Sequence, residues 1–161
     1  MSHDDVPAFG RGIEDKNALQ LFYRGMLLKL QNCGVPPPAH TERILEVGSG
    51  NGNFLTFLRK RGLDVEGVDI EPRGPGVKKA NIAELPYPPE SFNYVMSKHV
   101  FDGWHYPQSP ADQKAMLSEI VRVLKKDGAY YAVENFFEPI AGLELLSDPS
   151  GNQGSSVYKK V

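Results

Sequence analysis

The chain has 161 residues, 40% of them hydrophobic, enough for one buried core and too few for two comfortable domains; a single domain over 1–161 is expected. A formal charge of −2 provides no basic footprint for holding a nucleic-acid backbone, and the sole cysteine, Cys33, leaves neither an internal disulfide nor a cysteine-rich zinc site. Residues 1–14 are expected to be flexible, with neither the apolar core of a signal peptide nor the long apolar run of a membrane span, so the expectation is a soluble cytoplasmic chain without metal or membrane.

The first predicted element is a helix over 15–32. Ala18, Phe22, Met26 and Leu30 recur every fourth position, a spacing that gathers them on one face to pack against a sheet. Pro36, Pro37 and Pro38 break it, because consecutive prolines cannot donate helix hydrogen bonds. A strand is predicted over Arg43–Val47, leading into Gly48, Gly50 and Gly52. Glycines so placed let the chain leave a strand tightly and bring backbone N–H groups against a ligand that a Cβ would push away. A dinucleotide fingerprint needs G-x-G-x-x-G, and Asn53 stands where its third glycine belongs, so the loop leans away from NAD. Phe54, Leu55, Phe57 and Leu58 mark a helix over Asn53–Arg61 that stops at Gly62.

The second strand, Asp64–Ile70, carries Asp69 near its end, seventeen positions after Gly52. An acid there can accept both hydroxyls of a ribose and has little structural reason to be present, so Asp69 predicts a nucleoside cofactor without choosing between NAD and S-adenosylmethionine. Only Glu71–Gly76 separates it from a third strand near Val77–Asn81, although parallel strands normally need a longer crossover. The sheet beside this reduced crossover is expected to be poorly covered and its edge exposed, either blunted by Lys78 and Lys79 or covered by another subunit.

The fourth strand, Phe92–Ser97, delivers the chain to a stretch with His99, Phe101, Asp102, Trp104, His105 and Tyr106. Ligands of open α/β sheets bind beyond the carboxyl ends of the strands, which makes this stretch the expected acceptor wall. Imidazole titrates near neutral pH, so His99 or His105 can take a proton, with Asp102 to orient one of them. Each also has a plainer reading, the histidines as partners of backbone groups and the aromatics as caps of the core edge. Ser109, Pro110 and Asp112 start a helix that is predicted to run to about Lys126, with Gly128 as its left-handed stop. Ala129–Glu134 reads as a fifth strand, and Gly142–Leu146 with Ser156–Lys160 as a closing hairpin.

Taken in order, Glu46 to Gly52 as E-x-G-x-G-x-G, Gly67 to Ile70 as G-V-D-I, Asn81 to Tyr87 followed by Glu90 to Asn93, and Ile120 to Gly128 resemble the class I S-adenosylmethionine-dependent methyltransferases of the small type-11-like kind. The resemblance covers about Arg43 to Asn135. It implies an α/β, Rossmann-like, mostly parallel seven-stranded sheet with helices on both faces and a C-terminal antiparallel hairpin, and S-adenosylmethionine as cofactor. It implies that Glu46 orients the methionine amino group, that Gly48, Ser49, Gly50 and Gly52 wrap the methionine and ribose, and that Asp69 takes the ribose hydroxyls. Ile70 then lies on one adenine face, the Ile82 backbone reads the ring edge, and Asn81 stands where the family usually has Asp to accept from the adenine amine; a carboxamide oxygen can still do so.

The activity so implied is methyl transfer to an unidentified acceptor, small molecule or protein in preference to nucleic acid, held in line with the donor. Two readings compete. An NAD-dependent oxidoreductase lacks the third fingerprint glycine and a Tyr-x-x-x-Lys pair; a catalytically silent S-adenosylmethionine-binding subunit is favoured by the reduced crossover and by the little chain left for substrate recognition.

Overall fold

A computed structural model of the chain describes residues 15–102, 108–134, 136, 138–146 and 154–161. The leader over 1–14, Trp104, His105 and Tyr106, and the centre of the closing hairpin lie outside the described residues. Helix α1 spans Lys16–Asn32 and starts where Asp15 accepts from the Asn17 N–H, a side-chain cap for one of the helix's orphan donors. Leu19, Met26 and Leu30 are its buried hydrophobics, close to the expected stripe. Strand β1 (Arg43–Val47), helix α2 (Asn53–Lys60) and strand β2 (Asp64–Asp69) follow the expected order. Strand β3 is short, Val77–Lys79, and Asn81 lies beyond it as the cap of a single-turn 3-10 helix, Ile82–Glu84.

Strand β4 (Phe92–Lys98), helix α3 (Pro110–Val123), strand β5 (Leu124–Val133) and the pair β6 (Leu143–Leu145) and β7 (Ser156–Lys160) complete a seven-stranded sheet of order β3-β2-β1-β4-β5-β7-β6. Strands β1 to β5 are parallel, and β7 lies antiparallel between β5 and β6. The chain leaves β1 toward β2 and β3, then returns to its other side for β4. The sheet therefore divides between β1 and β4, which is where a doubly wound sheet opens a crevice at the carboxyl ends of its strands.

Burial on both faces accounts for the apolar strands. Ile44 faces α1 and α2 with Val65, Tyr94, Met96 and Tyr131, while Leu45 and Val47 face α3 with Val95, Ile120 and Tyr130. Alternate residues of one strand thus serve two cores, as covered parallel strands require. Helix α3 opens with the expected capping box, Ser109 and Asp112 each accepting from the other's N–H at 3.1 and 3.0 Å.

Its end differs from expectation. The helix stops at Val123 and Leu124 already pairs with Phe92. The left-handed residue is Asp127, φ 65°, and not Gly128. Gly128 instead runs close to β4, where a Cβ would lie 2.9 Å from the Asn93 carbonyl oxygen. Leu124, fully buried, enters the sheet before the helical pattern runs out; tertiary burial overrides the local preference.

The reduced crossover is packed onto the glycine loop. Arg73 N–H donates to the Gly50 carbonyl at 3.0 Å, and a Cβ at Gly74 would fall 1.7 Å from the Asn51 carbonyl oxygen, so only glycine lets these two backbones meet. On the other side Lys78 Nζ sits 5.2 Å from the centre of the Tyr87 ring, and Tyr87 donates to Glu66 at 3.3 Å. Strand β3 remains an edge with exposed Lys78 and Lys79, as expected.

Candidate functional site

The glycine loop is built differently from the expectation that its N–H groups meet a ligand. Gly48 and Ser49 donate to the Val68 carbonyl at 2.8 and 3.0 Å, and Gly50 donates to Asp69 Oδ2 at 2.9 Å. Three successive donors are turned back onto β2. The missing Cβ makes room for protein: at Gly48, φ 74°, it would lie 2.5 Å from Val100 Cγ2, so the glycine admits the segment that follows β4. Ser49 is buried, and its hydroxyl donates to the Glu46 carbonyl at 3.0 Å.

Asp69 also has a structural reason that the sequence reading did not supply. Its Oδ1 accepts from Glu71 N–H at 2.9 Å while Oδ2 accepts from Gly50; the buried carboxylate ties the crossover to the glycine loop. Each carboxylate oxygen has a second lone pair, and Asp69 still borders the cavity described next.

That cavity, about 190 Å³, opens at the carboxyl ends of β1 and β2. Gly48, Asp69, Ile70, Asn81 and Ile82 line it, all expected site residues, together with Ala83, with Gln108 just before α3, and with Asp112 and Met116 on that helix. Ile70 is 43% exposed, an apolar side chain presented to an open pocket. Asn81 Oδ1 accepts from Ala83 N–H at 2.9 Å, so one of its lone pairs is engaged in capping. Glu46, Ser49, Gly50 and Gly52 do not border the cavity.

Glu46 Oε1 is buried and has no hydrogen-bond partner among the described residues. Burial pushes its carboxyl up to about 7, against the pull of the Ser49 hydroxyl and the Lys98 charge. Parallel pairing of Glu46 with Met96 puts Lys98, two residues on, along the same face. Burial lowers the Lys98 ammonium to about 8, opposed by Glu46, and its Nζ lies 4.7 Å from the centre of the Phe22 ring. The expected strand ends at Ser97, one residue short of Lys98, and no local pattern singles Lys98 out.

Beyond β4 the backbone is clamped group by group. His99 N–H donates to the Val133 carbonyl, Val100 and Phe101 N–H donate to Glu134 at 2.6 and 3.0 Å, and Gln108 and Gln113 donate to the Val100 and Phe101 carbonyls at 2.7 and 3.1 Å. Burial pushes the Glu134 carboxyl up to about 7, the two backbone bonds opposing. His99 is held at φ 53°, with its Nδ1 3.8 Å from Asp102 Oδ2 and its side chain 42% exposed. Of the expected acceptor wall, Phe101 belongs to the core, 5.3 Å from Phe136.

A family model described as a methyltransferase domain matches residues 45–132, over half of the chain, and the chain belongs to that family. An uncharacterized methyltransferase of Mycobacterium tuberculosis is 30% identical over 135 residues, 77% of this chain and 53% of the relative. One from Synechocystis is 26% identical over 117 residues, 66% of this chain and 52% of the relative. The chain thus spans about half the length of the curated relatives it matches. Among solved structures, a TehB-like SAM-dependent methyltransferase of Corynebacterium glutamicum matches with TM-score 0.60 and 19% identity over 91% of this chain and 100% of that one. The 1,6-didemethyltoxoflavin-N1-methyltransferase of Burkholderia thailandensis, solved with S-adenosylhomocysteine, matches with TM-score 0.56 and 17% identity over 98% of this chain and 86% of that one. The chain has the fold of S-adenosylmethionine-dependent methyltransferases.

Proposed function

We propose that this chain binds S-adenosylmethionine in the cavity between β1, β2 and the α3 start and transfers its methyl group to an acceptor held beside His99. The observation that carries the reading is the meeting of Asp69, Ile70, Asn81 and Ile82 on one cavity, with Glu46 Oε1, buried and unpartnered among the described residues, near the end of β1. An orphaned buried acceptor calls for a donor, and a ligand ammonium supplies one. Asp69 offers its remaining lone pairs to the ribose hydroxyls, Ile70 its apolar face to the adenine, and Asn81 with the Ile82 backbone the ring edge. Gly48, Ser49, Gly50 and Gly52 shape the loop through which these contacts are made.

The bound donor supplies an electrophilic methyl on a sulfonium, and the chain's task is to align acceptor and donor and exclude water. His99, oriented toward Asp102, takes the acceptor's proton where the acceptor is a hydroxyl or protonated amine; His105 is the second candidate. Among the described residues no helix is long and apolar enough to cross a membrane. Together with one cysteine and a charge of −2, this supports work in the cytoplasm on a small-molecule or protein acceptor. The two lysines on β3 support a charge-blunted edge over a partner-covered one, a choice that the mass in solution decides.

Calorimetric titration with S-adenosylmethionine and with NAD tests the reading. Binding of the first is expected; tight NAD binding without it would falsify the proposal. Donor binding with no transfer to any acceptor in a screen of metabolites and peptides would point to the silent binding subunit instead.

A further inference from the structure

We propose that Gln108 is a base-reading residue: its Oε1 accepts a hydrogen bond from the exocyclic amine of the donor's adenine. The inference rests on the donor reading above and adds a residue that neither the motif order nor the family resemblance singles out.

Gln108 Oε1 is buried and lacks a hydrogen-bond partner among the described residues, and Gln108 lines the same cavity as Asn81 and Ile82. The orientation of the carboxamide is determined by chemistry. Its nitrogen lies 2.7 Å from the Val100 carbonyl oxygen, an atom that only accepts, so the amide cannot be turned over. Val100 is in turn held through its N–H by Glu134. The acceptor is therefore fixed in place and has nothing to receive among the described residues; a buried acceptor left unpaired is costly, and a ligand donor returns that cost.

What surrounds that side chain selects the donor. Ile70, Ile82, Ala83 and Met116 give the cavity apolar walls suited to a flat ring, with Asp69 and Asp112 also on its lining. Asn81 and Gln108 both line it, the oxygen of each carboxamide accepts, and Asn81 Oδ1 has one lone pair already engaged by Ala83. A purine amine brings two hydrogens, one for each oxygen. A purine carbonyl in the same place would set acceptor against acceptor, so the pair discriminates against a hypoxanthine base, and Gln108, with the unused oxygen, carries the larger share.

The test is a calorimetric comparison of S-adenosylhomocysteine, S-inosylhomocysteine and 3′-deoxy-S-adenosylhomocysteine on the wild type and on two variants. Gln108→Met removes the amide. Gln108→Lys keeps a donor for the Val100 carbonyl, removes the acceptor and adds a positive charge; it stands in if the first variant unfolds. The wild type is expected to bind the inosyl compound ten- to a hundredfold more weakly, and each folded variant to shrink that ratio about tenfold. The part of the penalty read by the Ile82 backbone is common to all three proteins and cancels. An unchanged inosyl ratio in the folded variants overturns the proposal, and so does erosion of the 3′-deoxy penalty in its place, which would assign the oxygen to a ribose hydroxyl. A wild type that binds none of the three overturns the donor reading itself, and this inference with it.

Discussion

Glu134 shows how one buried acid can organise a loop and leave a signature in pH. Its folded carboxyl holds a proton up to about 7, whereas an ordinary glutamate releases it near 4.5. A group whose pKa is raised on folding contributes stability that is complete below the unfolded value and is lost as pH climbs through the folded one. The chain should therefore lose stability between about pH 4.5 and 7, with Glu46 adding to the loss in the same window. Urea denaturation of Glu134→Gln should show this slope reduced by about 3 kcal/mol across that window, beside a pH-independent cost from the weakened clamp on Val100 and Phe101. A pH profile identical to wild type would remove Glu134 from the account. Asp69 joins structure to the proposed ligand role in one side chain: Asp69→Ala leaves the Gly50 and Glu71 donors unpaired, and should cost about 2–4 kcal/mol in urea unfolding as well as, on the proposed reading, a few kcal/mol of donor affinity by calorimetry. The proposed ribose half of that role is argued from position at a strand end. The structural half could not be read from the sequence, because which backbone donors approach a carboxylate is set by how two loops fold onto each other.

Among the elements, the crossover between β2 and β3 is short for a parallel connection, and its seven residues, 70–76, pack against the glycine loop. Replacing Gly74 with Ala would drive a Cβ into the Asn51 carbonyl, a backbone clash that no rotamer relieves. Loss of most cooperative unfolding, or of several kcal/mol of stability, is expected in circular dichroism melts; a Gly74→Ala chain as stable as wild type would contradict the packing. At the α3 start, Ser109→Ala removes half of the capping box and should cost about 1 kcal/mol. Helix α3 illustrates the limit of local reading. Ser109, Pro110 and Asp112 announce its beginning because a cap is a contact between near neighbours. Its end at Val123 is imposed by Leu124 entering the sheet beside Phe92, a pairing across 32 positions of sequence that no local pattern records.

For the molecule as a whole, ligand and edge provide two further measurements. S-adenosylhomocysteine at a hundred times its Kd should add about 2.7 kcal/mol to stability and raise Tm by roughly 5–10 °C for a chain of this size; an unchanged Tm at saturation would contradict binding to the folded state. The β3 edge presents unpaired backbone groups guarded by Lys78 and Lys79. Replacing both with valine should promote self-association visible in light scattering, since charge is what keeps such an edge from pairing. The periodic apolar residues and the Gly48–Gly50–Gly52 run marked by themselves the alternation of helices and strands in chain order, and with it an α/β sheet, because such signals depend on spacing along a strand or helix; the order of the strands within the sheet was decided by the tertiary structure. The partners of Asp69, the inward turn of the glycine-loop donors, the orphaned oxygens of Glu46 and Gln108 and the clamp that Glu134 puts on Val100 were decided only by the tertiary structure. Each of these is a meeting of backbone or carboxylate with a segment distant in sequence, and its energy comes from burial and hydrogen-bond geometry that exist only once the sheet has closed.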